Sequence, residues 1–164
     1  ALADAEASLD ELAKYQRLLW QEGALGLEDV VLDALRLIGC TVYTSQEGGV
    51  QARIDGTNVL IEVEGSEQPV DLAPHYRLRE RVEAALAKRG ETPRGVVFVN
   101  GERLRDPAQR RHVVDALRTA AETMRYALAP TPGLYDAVVA QLSGDTEAVE
   151  AYRRALVTTD GLIA

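Results

Sequence analysis

The sequence predicts an α/β fold in which a mixed sheet is flanked by helices. Two observations carry this. Three short β-rich runs at 41–44, 50–54 and 58–64 are punctuated by Gly48-Gly49 and Asp55-Gly56, which marks a tight-turn meander. A helical stretch then precedes the buried run Gly95-Val-Val-Phe-Val-Asn100, so that strand returns by a crossover.

The elements follow in order. Residues 3–22 read as an amphipathic helix. Leu2, Leu9 and Gln16 recur every seven residues, as do Ala5, Leu12 and Leu19, a short a/d stripe suited to a dimer contact. Ser8 with Glu11 resembles a capping box, and Gly23 and Gly26 are expected to break the helix. A second helix is expected over 27–38, with Val30, Val31, Ala34, Leu35 and Ile38 on one side and Gly39 as its stop. After the meander, a helix from residue 71 or 72 to Arg89 stops at Gly90. Asp106-Pro107 is expected to open a helix running to Met124. Residues 126–128 read as a short strand. Helices are expected from Thr131 to Leu142 and over 146–157. No linker splits the chain beyond a division between residues 1–25 and 26–164.

Composition narrows the function. The 164 residues are 46% hydrophobic and 27% charged, which is globular. No apolar run approaches the ~20 residues of a membrane span, and no signal-peptide pattern stands out, so a cytoplasmic location is expected. Beginning on Ala rather than Met, the sequence reads as processed or cut from a longer protein. Cys40, the single cysteine, reads as a small core residue. The net charge is −8, yet residues 75–118 hold eleven bases against six acids. Arg77, Arg79 and Arg81 on one helix, with Arg110 and Arg111 further on, are candidate contacts to nucleic acid. Trp20 and Tyr135 are expected to pack. His75 and His112, far apart and without a nearby Cys, do not read as a zinc site. No phosphate-cradling Gly-rich loop or nucleophile elbow is present, so a nucleotide cofactor is not expected.

The most informative stretch is Asn58-Val-Leu-Ile-Glu-Val-Glu-Gly-Ser66. Alternation along a strand puts Glu62 and Glu64 on one face and Ile61 and Val63 on the other. Acids so near the middle of a core strand need a partner or a metal. The stretch 26–42 (Gly-Leu-Glu-Asp-Val-Val-Leu-Asp-Ala-Leu-Arg-Leu-Ile-Gly-Cys-Thr-Val), the run Leu60–Ser66, and Gly95–Gly101 followed by Asp106, Pro107 and Arg110 occur in the order seen in the restriction endonuclease-like (PD-(D/E)xK) nuclease family, which residues 18–128 resemble. Thr131, Leu134 and Tyr135 are similar to a later helix start in bacterial members. The resemblance implies an α-β-β-β-α-β core in residues 26–164. It also implies a Mg²⁺ site built from an Asp on the second strand, the Glu of Glu-x-Lys and a Glu on the first helix. Such a metal activates water, and the lysine positions it.

Carried over, the metal Glu is Glu62 and the first-helix Glu is Glu28. The lysine position holds Glu64. The Asp position falls on Asp55 by spacing, or on Gln51 once Asp55-Gly56 forms the turn. A lysine about 4 Å from a phosphate gains roughly 4 kcal/mol at an effective dielectric of 20, and a glutamate there loses a similar amount. That swing exceeds ~10³-fold in rate. The leading expectation is therefore a degenerate, non-cleaving module without Mg²⁺ that binds nucleic acid or a protein, with Arg53 bridging to Glu62 or Glu64. One alternative is an active Mg²⁺ nuclease using Glu28, Asp55, Glu62 and Glu64. The other is an assembly domain that forms a homodimer through its first helix.

Overall fold

The computed structural model describes residues 2–20, 24–45 and 48–164. The elements are α1 (Leu2–Tyr15), α2 (Arg17–Trp20), α3 (Ala24–Leu37), β1 (Thr41–Thr44), β2 (Val50–Ile54), β3 (Thr57–Gly65), α4 (Ala73–Arg89), β4 (Arg94–Asn100), α5 (Asp115–Met124), β5 (Ala127–Pro130), α6 (Thr131–Leu142), α7 (Thr146–Thr158) and β6 (Gly161–Leu162). A 3₁₀ turn covers Pro107–Gln109. Gly26, expected to break a helix, lies inside α3. Residues 21–23, where the first helix was expected to end, lie outside the described residues.

The six strands lie side by side in chain order. β1, β2 and β3 form an antiparallel meander, and β3 to β6 are parallel. The meander closes on a two-residue turn, Ile54 pairing with Thr57. Asp55 and Gly56 both have positive φ, 47° and 84°, which the twist of a tight hairpin requires. Parallel neighbours need crossovers, supplied by α4, by α5 and by the α6–α7 pair. β6 was not foreseen; two residues are too short for a pattern.

Each face of the sheet has its own core. On one, Ile61, Val63, Val96, Phe98 and Ala129 pack under α3, α6 and α7, with Tyr15 and Leu18 of α1 and α2 in the same cluster. On the other, Leu60, Val97, Val99 and Leu128 pack under α4 and α5. Cys40 is buried in the first core, and burial pushes its thiol up to about 11. Trp20 departs from expectation, being 55% exposed. Tyr135 is half-buried against the first core, as expected.

The helix expected over 106–124 is a further correction. The Asp106 carboxylate does cap a turn, accepting from the Ala108 N–H at 2.9 Å. The chain then runs extended, and Val113 bridges to Val70. The Val70 N–H donates to the His112 carbonyl, and the Val114 N–H to the Val70 carbonyl, both at 3.0 Å. Those long-range bonds outcompete local helix, which restarts at Asp115.

Candidate functional site

Helix α4 sets the site. Asp71 accepts from the Ala73 N–H at 3.0 Å to start it, and Gly90, at φ 68°, ends it. Leu78 points to the sheet and packs over Gly95 of β4. A Cβ on Gly95 would stand 2.6 Å from a Leu78 methyl, so a larger residue there would push the Leu78 side chain out of its seat. At the foot of the helix, His75 Nδ1 and the Tyr126 hydroxyl share a 2.8 Å hydrogen bond. Burial lowers the pKa of His75 and raises that of Tyr126, so both are neutral. With α4 fixed in this way, Arg77 and Arg81, one turn apart on one side of the helix, lie over β3.

There they meet the two acids. Arg77 donates through Nε to Glu62 Oε1 at 2.8 Å and through Nη2 to Glu64 Oε2 at 2.6 Å. Arg81 donates through Nη1 to Glu62 Oε2 at 2.7 Å. Both oxygens of Glu62, whose side chain is only 13% exposed, are thus occupied by guanidinium groups. Arg81, 20% exposed, also donates to the carbonyls of Ile61 and Val50, each at 2.7 Å, and so ties β3 to β2. It has room because Gly49 stands beside it. A Cβ on Gly49 would lie 2.9 Å from the guanidinium, and Gly49 has φ 88°.

Glu28 on α3 belongs to the same neighbourhood. Burial raises its pKa, the Glu62 charge adds to this, and Arg81 opposes it. Gln51 shares the face of Glu62, since it pairs with Leu60. Asp55 does not join them. It lies in the turn and accepts from Arg153 Nε at 2.9 Å, and Glu62 is about 16 Å further along β3 at ~3.3 Å per residue. Two ligands of one Mg²⁺ must each lie ~2 Å from the ion, so Asp55 and Glu62 cannot share one. The Arg53 bridge is not formed either. Arg53 is on the anticipated face but pairs with Asn58, about 13 Å along the strand from Glu62. Arg77 and Arg81, read from sequence as phosphate contacts, make those bonds instead.

The other basic candidates divide. Arg110 is structural, donating through Nη1 to Asn100 Oδ1 at 2.8 Å and through Nη2 to the Arg103 carbonyl at 2.9 Å. Arg79 and Arg111 are more than half exposed, next to Glu83 at 3.1 Å and Asp115 at 3.5 Å. Among the described residues, no group of three His, Cys, Asp or Glu side chains could hold a metal ion. A divalent cation at about 5 Å from a guanidinium is repelled by roughly 7 kcal/mol at an effective dielectric of 20, and Glu62 has two such neighbours. What the arrangement offers chemically is a neutralised polar clasp.

Beside the clasp, a groove of about 450 Å³ runs between α4 and the uncovered face of β1–β3. Tyr43, Gln51, Leu60, Arg81, Ala84 and Arg89 line it. No helix among the described residues is long and apolar enough to cross a membrane. No family model, curated protein or solved structure matches the chain.

Proposed function

We propose that this chain is a non-cleaving, nuclease-like module that recognises a partner through the groove beside the Glu62–Glu64 clasp. The order α3-β1-β2-β3-α4-β4, with the paired acids on the third strand, supports a restriction endonuclease-like core. The single observation that carries the loss of cleavage is the saturation of Glu62 by Arg77 and Arg81. Hydrolysis would need those oxygens for a metal and a cation at position 64.

A protein partner suits the groove better than nucleic acid. Arg77, Arg81 and Arg110 are committed to carboxylates, carbonyls and Asn100 inside the fold. The groove itself pairs apolar walls with both signs of charge, Glu80, Glu91, Lys88 and Arg89 all being among its lining residues. Exposed Tyr43 of β1 is among its lining residues.

The test is a plasmid-nicking assay with Mg²⁺ and Mn²⁺, together with binding of a labelled DNA duplex at physiological salt. No nicking and no retained duplex are expected. Metal-dependent nicking abolished by Glu62→Gln would overturn the non-cleaving reading. Salt-sensitive DNA binding lost in Arg79→Ala or Arg111→Ala would replace the protein partner with nucleic acid.

A further inference from the structure

The two faces of the sheet are not covered alike at its β1 end. On the α3 side, Val42 of β1 and Val50, Ala52 and Ile54 of β2 join the first core. On the α4 side, the second core draws on β3 to β6 and, among the described residues, on nothing from β1 or β2. β1 is also an outer strand of the sheet and pairs with β2 alone. Its side away from β2 is an open ladder.

The groups on that ladder follow from the turn. The Ser45 N–H donates to the Gly49 carbonyl at 3.1 Å, so Ser45 turns its backbone polar groups to the β2 side. Antiparallel pairing alternates along a strand. Tyr43 and Thr41 therefore also turn inward, and the N–H and C=O of Val42 and Thr44 turn outward. Among the described residues these outward groups have no hydrogen-bond partner. Strand edges are commonly guarded by proline, charge, a bulge or shortness. Thr41-Val42-Tyr43-Thr44 has no proline, no charge and no bulge in its register with β2. Its one guard is its length of 4 residues.

We propose that the outer edge of β1 takes an extended acidic segment of a protein partner, which adds one more strand to the sheet. Donors and acceptors alternating at strand spacing match a peptide backbone. The acid follows from Arg53. This side chain is exposed on the α4-side face and, among the described residues, has no ion-pair partner. It stands directly across from Thr41. A residue of the added strand beside Thr41 would lie about 10 Å from Arg53, two strand spacings away. Arginine and glutamate together span that distance across the small threonine. A second copy of this chain would bring only the uncharged Thr41–Thr44 to the edge and leave Arg53 unmatched. Tyr43 and Asn58, the cross-strand partner of Arg53, line the groove, so the added strand would border it. The proposal rests on the reading that the groove meets a protein, and it gives the mode of that contact.

The experiment titrates the whole chain with the peptide acetyl-Glu-Val-Glu-Val-Glu-Val-amide and follows backbone amides by NMR. Alternation keeps the glutamates on one face of the added strand. Saturable shifts at Val42 and Thr44 are expected, with slower hydrogen exchange at both. Arg53→Ala should weaken the peptide by about two- to fivefold, and the counterpart with lysine in place of glutamate should bind more weakly still. Thr44→Pro removes one outward N–H, a change that strand edges tolerate, and should abolish the shift at Val42. A change in the ligand leaves the fold untouched: of two probes, one N-methylated at its valines and one at its glutamates, one should lose binding. The proposal is overturned if Val42 and Thr44 show no saturable shift, if the lysine peptide binds as tightly, or if both methylated probes still bind. A dimer by sedimentation that Thr44→Pro returns to monomer would also overturn it, giving the edge to a second copy. Retention of duplex DNA would end the protein-partner reading, whereas loss of the Val42 and Thr44 shifts alone would end only the edge mode.

Discussion

Two polar groups on this sheet differ in how their hydrogen bonds are met. At Glu62 and Glu64 on β3, charged side chains lie in a half-buried setting and are held by Arg77 and Arg81 at 2.6–2.8 Å. Around the carboxyl end of β5, the neutral atoms of His112, Thr131 and Tyr152 are buried and have no partner. The first group looks like chemistry in the sequence and is closed in the fold. The second is silent in the sequence and left unmet in the fold.

Removing a partner from the closed group should have the largest effect. Arg81→Ala strips Glu62, Ile61 and Val50 of donors at once and should destabilise the chain by roughly 2–4 kcal/mol. In a thermal melt this is a fall of about 5–12 °C. Arg77, 44% exposed, should cost only about 1 kcal/mol when replaced by Ala. If Arg81→Ala melted with the parent chain, the clasp would be a surface decoration.

Gly49→Ala tests the same group from the strand side. It places a Cβ at 2.9 Å from the Arg81 guanidinium and a side chain at φ 88°, so a loss of about 1–2 kcal/mol is expected in urea unfolding. Gly56→Ala controls for backbone strain alone, since nothing lies within 4 Å of a Cβ there at φ 84°. Equal losses at the two positions would remove the steric part of the argument.

The unmet group should respond with the opposite sense. Tyr152→Phe deletes an unpartnered hydroxyl, so unfolding should change by less than about 0.5 kcal/mol or shift toward greater stability. A loss as large as that of Arg81→Ala would mean that the hydroxyl is already well satisfied.

The smallest effect belongs to Glu28. Its folded pKa is raised by burial and by the Glu62 charge, so its ionised form opposes folding. That opposition is full above the folded pKa and vanishes below the unfolded value of 4.5. Glu28→Gln should therefore raise the midpoint by roughly 1–2 °C at pH 7 and not at pH 4. A gain that grew as the pH fell would reverse the sign and exclude the coupling.

Much of the fold was legible because its signals are local. Asp55-Gly56 fixes the hairpin, and the alternation at 58–64 assigns the faces of β3 without any tertiary information. Gly90 and Thr131-Pro132 likewise mark helix boundaries by their own backbone preferences. The chain from Arg110 to Val114 was misread because its conformation depends on Val70, more than 40 residues away. The face shared by Glu62 and Glu64 was legible, but their partners were not. The spacing of Arg77 and Arg81 puts them on one side of a helix; which way that side turns is decided by Leu78 seating on Gly95. Nothing in the sequence pattern shows that contact. The unmet atoms at His112, Thr131 and Tyr152 were illegible for the same reason, since a missing partner has no sequence signature.

The central claim is that guanidinium groups, and not a metal, neutralise the acids of β3. Its most direct test is the paramagnetic broadening of backbone amides at millimolar Mn²⁺. The expected result is no selective broadening over residues 61–65 in the parent chain. Selective broadening there that disappears in Glu62→Gln would contradict it.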